Sequence, residues 1–372
     1  MKIVIFGLTL SSSWGNGHAT LWRGLCRALI RASHRVVFFE RDLPYYAEHR
    51  DLTELSGGSL ILFRNWEDNV WLAQRELLDA DVGIVTSYCP DGIQASSLLL
   101  SSPVPLRVFY DLDTPVTLDC LKTGRDVSYL GPRGLHDFDL VLSYTGGQAL
   151  EDLKTQLGAR SVAPLYGSVD PESHYPVQAD SNLRSDLSYL GTYAADRQPA
   201  LERLFVQPAQ RCPQYRFLIG GAQYPENFPW TENIFFARHV APGRHPAFFC
   251  SSRLTLNVTR AAMRAMGYCP SGRLFEAVAC GAPVISDSWE GLDHFFAPNE
   301  EILVVESADD VISALQLSDA ELRALATRAR ERVLTEHTAT QRASELEGLL
   351  EAALSGKTND STKSEPELAR DV

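Results

Sequence analysis

The sequence predicts an α/β protein built of two doubly wound halves that face a central cleft, and three observations carry that prediction. Short apolar runs alternate with helix-length segments, the pattern of parallel strands joined by crossover helices. The alternation stops once, where Gly167-Ser168-Val169-Asp170-Pro171 leads into a polar stretch that ends near Arg184, and then resumes. With 372 residues there is room for a domain of ordinary size on each side of that break.

The first half opens with Lys2-Ile3-Val4-Ile5-Phe6, a strand-length run followed by a glycine-bearing loop, a helical pattern over 18–32 and a second strand at Val36-Val37-Phe38-Phe39. Further strands are expected at 60–63, 82–86, 106–110, 140–143 and 161–166. Several end on a small or acidic residue, at the end of the sheet where a doubly wound fold holds its ligands. A second series starts at 187–190 and continues at 216–219, 234–236, 254–258, 283–286 and 302–305. Ser307-x-x-Asp310 and Ser318-x-x-Glu321 can cap helix starts, the second as a capping box, so the chain is read as helical to about Ala353. The boundaries that result are a Rossmann-like N-terminal domain over 1–170, a linker over 171–185, a Rossmann-like C-terminal domain over 186–335, a helix over 336–354 and a tail over 355–372. The tail is polar, with almost no large apolar residue, and is expected to be disordered.

Composition narrows the function classes. Forty-seven acidic against 34 basic residues leave a formal charge of −13, which repels phosphate backbones and anionic lipid. General nucleic-acid binding is not expected, and membrane contact is at most peripheral. The seven cysteines are scattered without a C-x-x-C pair, which argues against a disulfide framework or a structural zinc site and for reduced thiols in the cytoplasm. No stretch approaches the ~20 apolar residues of a membrane span, and the opening apolar run lacks a cleavage site, so no leader is expected.

The most informative segment runs from Tyr268 to Ile285. Pro270, Ser271 and Gly272 form a loop that opens a helix, so the free N–H groups of its first turn can hold a pyrophosphate, helped by the positive end of the helix dipole. Arg273 adds a formal charge there. Glu276 lies about one turn further, where its carboxylate can accept both hydroxyls of a ribose whose phosphates sit at the helix start. Gly281-Ala282-Pro283 then turns the chain into the next strand.

This segment resembles the donor-binding signature of GT-B glycosyltransferases, especially the CgeB-like and family-4-like groups (glycosyl transferases group 1), in which a small loop precedes a helix reading Phe-Glu-Ala-x-Ala-x-Gly-x-Pro-Val-Ile. Leu187-Ser188-Tyr189-Leu190-Gly191-Thr192-Tyr193 with Asp196-Arg197 is similar to the first strand and loop of their donor domain. Leu256-Asn257-Val258-Thr259-Arg260 is similar to the stretch before the signature in CgeB-like proteins, and Gly167-Ser168-Val169-Asp170 with Pro176 resembles the family-4 linker. The resemblance implies the GT-B fold and a donor site made by Gly191, Thr192, Arg197, Val240, Arg260, Ser271, Gly272, Arg273 and Glu276. Family-4 enzymes carry another glutamate eight positions earlier, near the transferred sugar, and Tyr268 stands there in this chain. The stereochemical outcome that the family implies therefore does not carry over.

In the N-terminal half, Gly15, Asn16 and Gly17 precede His18 at the start of the first helix. The glycines let backbone approach a ligand, and the His18 imidazole can accept a proton; enzymes with a similar loop use such a histidine near the acceptor or the sugar. Asp111 and Asp113 follow a strand and can polarise His18 or bind acceptor hydroxyls. An Asp-x-Asp pair can also chelate a divalent metal under a sugar diphosphate, but the helix start at 270–276 already supplies that neutralisation, so no metal is expected. Arg23, Arg27 and Arg31 recur at a spacing of four and are read as a solvated helix face.

The expected function is transfer of a sugar from a nucleoside diphosphate donor (UDP-, GDP- or dTDP-linked) to a small-molecule or glycan acceptor, without cofactor. Hydride transfer has less to support it: Gly15-x-Gly17 and Glu40 suggest a dinucleotide motif, but Thr20 replaces its third glycine. A GT-B epimerase acting on the nucleotide sugar, and a non-catalytic binding protein suggested by Tyr268, are the alternatives.

Overall fold

The structure, a computed structural model, describes residues 1–363, and strands form where the apolar runs fall. The first sheet contains β1 (Lys2–Gly7), β2 (Arg35–Arg41), β3 (Ser59–Phe63), β4 (Val82–Thr86), β5 (Leu106–Asp111), β6 (Leu140–Ser143) and β7 (Val162–Pro164). The second contains β8 (Ser185–Leu190), β9 (Phe217–Gly221), β10 (Ile234–Arg238), β11 (Ser252–Asn257), β12 (Val284–Ser286) and β13 (Leu303–Val304). Their orders are β3-β2-β1-β4-β5-β6-β7 and β10-β9-β8-β11-β12-β13, so both reverse direction beside their first strand. Every pairing is parallel, with Ile3 opposite both Val36 and Val82 in one sheet and Leu187 opposite Phe217 and Leu254 in the other. β1 and β4 are buried along their whole length because helices cover both faces, which is why they read as unbroken apolar runs.

Ligands of such sheets bind where the strand order reverses, beyond the carboxyl ends of the strands. Here that places the loop after β1, residues 8–17, opposite the loops after β8 and β11, which hold Gly191, Thr192 and Arg260. The two halves present these ends to each other.

Residues 167–184 run between the sheets with one short 3₁₀ turn, Ser181–Leu183. Ser307 and Ser318 each cap a helix with a reciprocal box, to Asp310 and Glu321, so the first is as complete as the second. The last helix, Ala339–Lys363, begins near the expected residue but belongs to the N-terminal half. Ala339, Ala343, Leu346 and Leu350 share a core with Ile3, Trp22 and Leu25. Gly24 permits this approach, since a Cβ there would come within 3.3 Å of Ala339. The chain thus crosses between halves twice, and the crossings pair: Val169 N donates to His337 O at 3.0 Å and Ala339 N to Val169 O at 2.7 Å.

The tail expected to be disordered from Ser355 starts inside this helix, Ala339–Lys363, and its remaining residues 364–372 lie outside the described residues. No helix among the described residues is long and apolar enough to cross a membrane. Arg23, Arg27 and Arg31 do line one helix, His18–Arg31, but each meets a carboxylate, of Asp51, Asp170 and Glu172 respectively.

Candidate functional site

A cleft of ≈ 410 Å³ lies between the facing sheet ends and is lined from both halves and from the linker residues Gly167 and Ser168. On its C-terminal wall stands the helix Gly272–Ala279. Ser271 precedes it in extended conformation and makes no side-chain cap bond; Leu274 N donates to Ser271 O at 3.0 Å, which leaves the N–H groups of Gly272 and Arg273 to a ligand. Three arginines, Arg197, Arg260 and Arg273, line the cleft on this wall. Arg273 donates from Nη1 to Asn257 Oδ1 at 3.2 Å and lies over the Tyr189 ring at 5.1 Å, and burial lowers its pKa. Arg197 reaches Thr192 O at 3.4 Å and keeps a buried Nε without partner. Arg260 donates from Nε to Asp196 Oδ2 at 3.2 Å. Gly191 leaves room where Arg273 passes: a Cβ there would come within 2.8 Å of its Nη2 and would push the guanidinium aside. Val240 lines the same wall, and its carbonyl accepts from His245 Nε2 at 3.1 Å.

Glu276 is buried one turn into the helix and also lines the cleft. Its Oε1 lies 3.9 Å from His174 Nε2 and its Oε2 3.7 Å from His245 Nδ1. Burial alone would raise its pKa, but His174, His245, the Thr20 hydroxyl and Arg273 together hold the carboxyl below its ordinary value. His245 is itself pushed down to about 4, chiefly by burial. The group is thus a carboxylate turned toward the cleft with few direct donors of its own.

The opposite wall carries His18, Gly15, Asn16 and Gly17. Asn16 Oδ1 accepts from His18 N at 2.8 Å and shapes the helix start. Gly15 has φ +62, and a Cβ on Gly17 would meet nothing within 4 Å, so its missing side chain leaves space for a ligand. His18 Nε2 lies 3.9 Å from Asp113 Oδ2, which accepts from Tyr88 OH at 2.9 Å. Asp111 departs from the expectation. As the last residue of β5 it is fully buried beneath the turn, where its Oδ1 accepts from Asp113 N and Thr117 Oγ1, both at 3.1 Å. Burial raises its pKa to about 6, and it does not line the cleft. The two aspartates therefore present no paired carboxylates to a ligand.

Two other residues singled out in the sequence prove to be packing elements. Tyr268 does not line the cleft; its ring is wedged where a Cβ on Gly147 or Gly291 would approach within 2.6 or 2.5 Å. Glu40 is consumed by the first loop, accepting from Leu10 N at 2.6 Å, Ser11 N at 3.0 Å, Ser11 Oγ at 2.5 Å and the Thr9 hydroxyl. No ribose could use it. Sequence reasoning did not find Tyr144, Thr20, His239, His245 or Thr259, all of which line the cleft. Thr259 adjoins Arg260 and Tyr144 follows a strand end, so both had a positional signal. His239 had none: it meets Trp14 at 4.3 Å, which stacks on His49 at 3.9 Å, and so joins the two halves at the cleft.

Residues 197–348 match the glycosyl transferase-like family. No curated protein matches the chain. Among solved structures, sucrose-phosphate synthase from Thermosynechococcus elongatus is similar with a TM-score of 0.69 at 15% identity, over 95% of this chain and 99% of that one. An α-glucosyltransferase in complex with UDP and mismatched DNA gives 0.67 at 12%, over 94% and 99%. Anabaena Alr3699/HepE in complex with UDP-glucose gives 0.64 at 12%, over 95% and 100%. At these identities the likeness is one of fold, and it shows that this chain has the GT-B fold, with the stretch from Arg197 to Gly348 carrying the glycosyl transferase-like match.

Proposed function

We propose that this chain transfers a sugar from a nucleoside diphosphate donor held on the C-terminal wall to an acceptor bound against the N-terminal wall. The observation that carries the reading is the opposition across one cleft of Glu276 with three guanidiniums and His18 with Asp113. Glu276 accepts from the ribose hydroxyls, and the diphosphate lies on the first-turn N–H groups of Gly272 and Arg273. As the sugar–phosphate bond breaks, positive charge builds at the anomeric carbon and negative charge on the leaving diphosphate. The N–H groups with Arg197, Arg260 and Arg273 stabilise the latter. His18 takes the acceptor proton, and Asp113, held by Tyr88, stabilises the imidazolium that forms. These groups supply the neutralisation of the diphosphate without a metal.

Uridine is the base to test first, since the similar HepE and α-glucosyltransferase structures are described with UDP-glucose and UDP. The stretch Leu256–Arg260 supports placement beside the CgeB-like group. Seven free cysteines support a reducing compartment such as the cytoplasm, and the charge of −13 supports a small-molecule or glycan acceptor over general nucleic acid.

A thermal-shift screen against UDP, GDP and dTDP tests donor binding: a ligand at ~100 times its dissociation constant stabilises by ~2.7 kcal/mol. Incubation with the matching sugar donors then separates the activities. Free nucleoside diphosphate released only with acceptor supports transfer, an epimerised donor supports the epimerase, and binding without turnover supports a binding protein.

A further inference from the structure

Behind the ribose position three side chains from separate parts of the chain converge. His174 comes from the linker, where its N donates to Asp170 O at 2.9 Å; His245 begins the helix His245–Cys250; Glu276 comes from the helix Gly272–Ala279. His174 Nε2 and His245 Nδ1 are 3.3 Å apart, and the carboxylate oxygens lie 3.9 and 3.7 Å from them. All three ligand atoms fall within 4.8 Å of one another, and His174 is only 3% exposed.

The protons of this cluster can be followed. Val240 O can only accept, so its 3.1 Å contact fixes a hydrogen on His245 Nε2. In the neutral ring Nδ1 then carries a lone pair turned toward His174 and Glu276. The 3.3 Å contact then draws its hydrogen from His174 Nε2, and because His174 Nδ1 has no partner, that hydrogen can move to Nδ1 when an ion takes its place. Two imidazole nitrogens and a carboxylate therefore share one pocket with at most one hydrogen among them.

Such a set is built like a metal site. In a tetrahedral ion with bonds of ~2.0–2.2 Å, ligand atoms stand about 3.3–3.6 Å apart; the two nitrogens already do, at 3.3 Å, while each carboxylate oxygen faces a different imidazole, at 3.9 and 3.7 Å, so one oxygen would have to swing toward both. A ligating histidine usually gives its other ring N–H to a carbonyl or carboxylate, as His245 does to Val240. Two nitrogens and one carboxylate select a zinc-like ion over magnesium or calcium, which take oxygen ligands. We propose that His174, His245 and Glu276 bind one divalent zinc-class ion, its fourth position open to the cleft. Because Glu276 would then hold the ion, zinc excludes the donor ribose; this consequence rests on the proposed ribose contact, whereas the ion site does not.

Full-length protein, stripped with chelator and dialysed in reductant, is titrated with zinc chloride by calorimetry. One ion per chain is expected. His174→Ala, checked for folding by circular dichroism, should weaken binding at least ~100-fold, since even a lost outer partner costs 10–100-fold. His174→Gln serves if the alanine variant does not fold, and Cys250→Ser should leave the titration unchanged. No saturable binding, or binding retained in both His174→Gln and His245→Gln, overturns the site. UDP affinity is then measured with and without zinc in wild type and in the His174 variant, so that complexation of zinc by UDP in solution cancels. A zinc effect confined to wild type supports competition. Zinc bound at these residues with UDP affinity unchanged upholds the ion site and refutes the ribose contact of Glu276.

Discussion

The two halves share a strand order and a ligand-binding end, yet they use a buried glutamate there in opposite ways. Glu40 at the end of β2 collects two backbone N–H groups and two hydroxyls from the loop at Thr9–Ser11, so its accepting capacity is spent on holding that loop. Glu276 meets imidazoles at 3.7 and 3.9 Å and faces the cleft. The difference teaches that burial alone does not distinguish a carboxylate spent on the fold from one left open to the cleft. What distinguishes them is how many protein donors reach it.

The largest expected effect lies on the wall that Glu40 supports. His18→Gln should lower turnover by ~10²–10⁴ with donor affinity nearly intact, and the acidic limb of the rate profile at saturating donor should vanish. A persisting limb would sink the role of His18 as base and leave the N-terminal wall purely structural.

Glu276→Ala should weaken nucleoside diphosphate binding by ~1.5–3 kcal/mol, about 10- to 150-fold in calorimetry, while the protein stays folded. Glu40→Gln should do the reverse: a thermal melt should show a loss of about 1–3 kcal/mol as buried donors lose their acceptor, with donor affinity unchanged once folded. If the two variants exchange phenotypes, the contrast between the halves fails.

The same contrast extends to imidazoles. His245 and His337 are both pushed down to about 4, chiefly by burial, but His245 has a carbonyl and a carboxylate beside it, whereas His337 has only the Phe295 backbone to offset its burial. A histidine whose folded pKa is depressed binds its proton more readily when unfolded. Its neutral form therefore supports full stability above pH ~6.5, and that stability is lost as pH falls toward 4. His337 packs among the rings of Phe275, Phe295 and Phe296. His337→Phe should thus leave the melt at pH 7.5 almost unchanged and recover roughly 2 kcal/mol at pH 5; an unaltered acid slope would refute this. The smallest effect is expected from EDTA, which should not lower the turnover of zinc-free protein, and loss restored by manganese would bring metal catalysis back.

How much of this was legible depended on separation along the chain. Ser271, Gly272, Arg273 and Glu276 were readable because a helix start fixes the relation of residues one turn apart by its own hydrogen bonds. Strand positions and sheet class were readable for the same reason, since period and burial leave a local mark. The sequence left open whether Asp111 or Asp113 reaches His18; β5 ends at Asp111, and the turn that follows lifts only Asp113 to the cleft.

The sequence by itself determined the doubly wound class, the break between halves and the helix start at Ser271 with Glu276 one turn on. Only the tertiary structure decided that Glu40 is spent and Glu276 available, that the last helix returns to the first half, and that His174 and His245 meet. Those two histidines are 71 residues apart. No periodicity links them, because their approach is set by which helix packs on which sheet and not by the backbone between them.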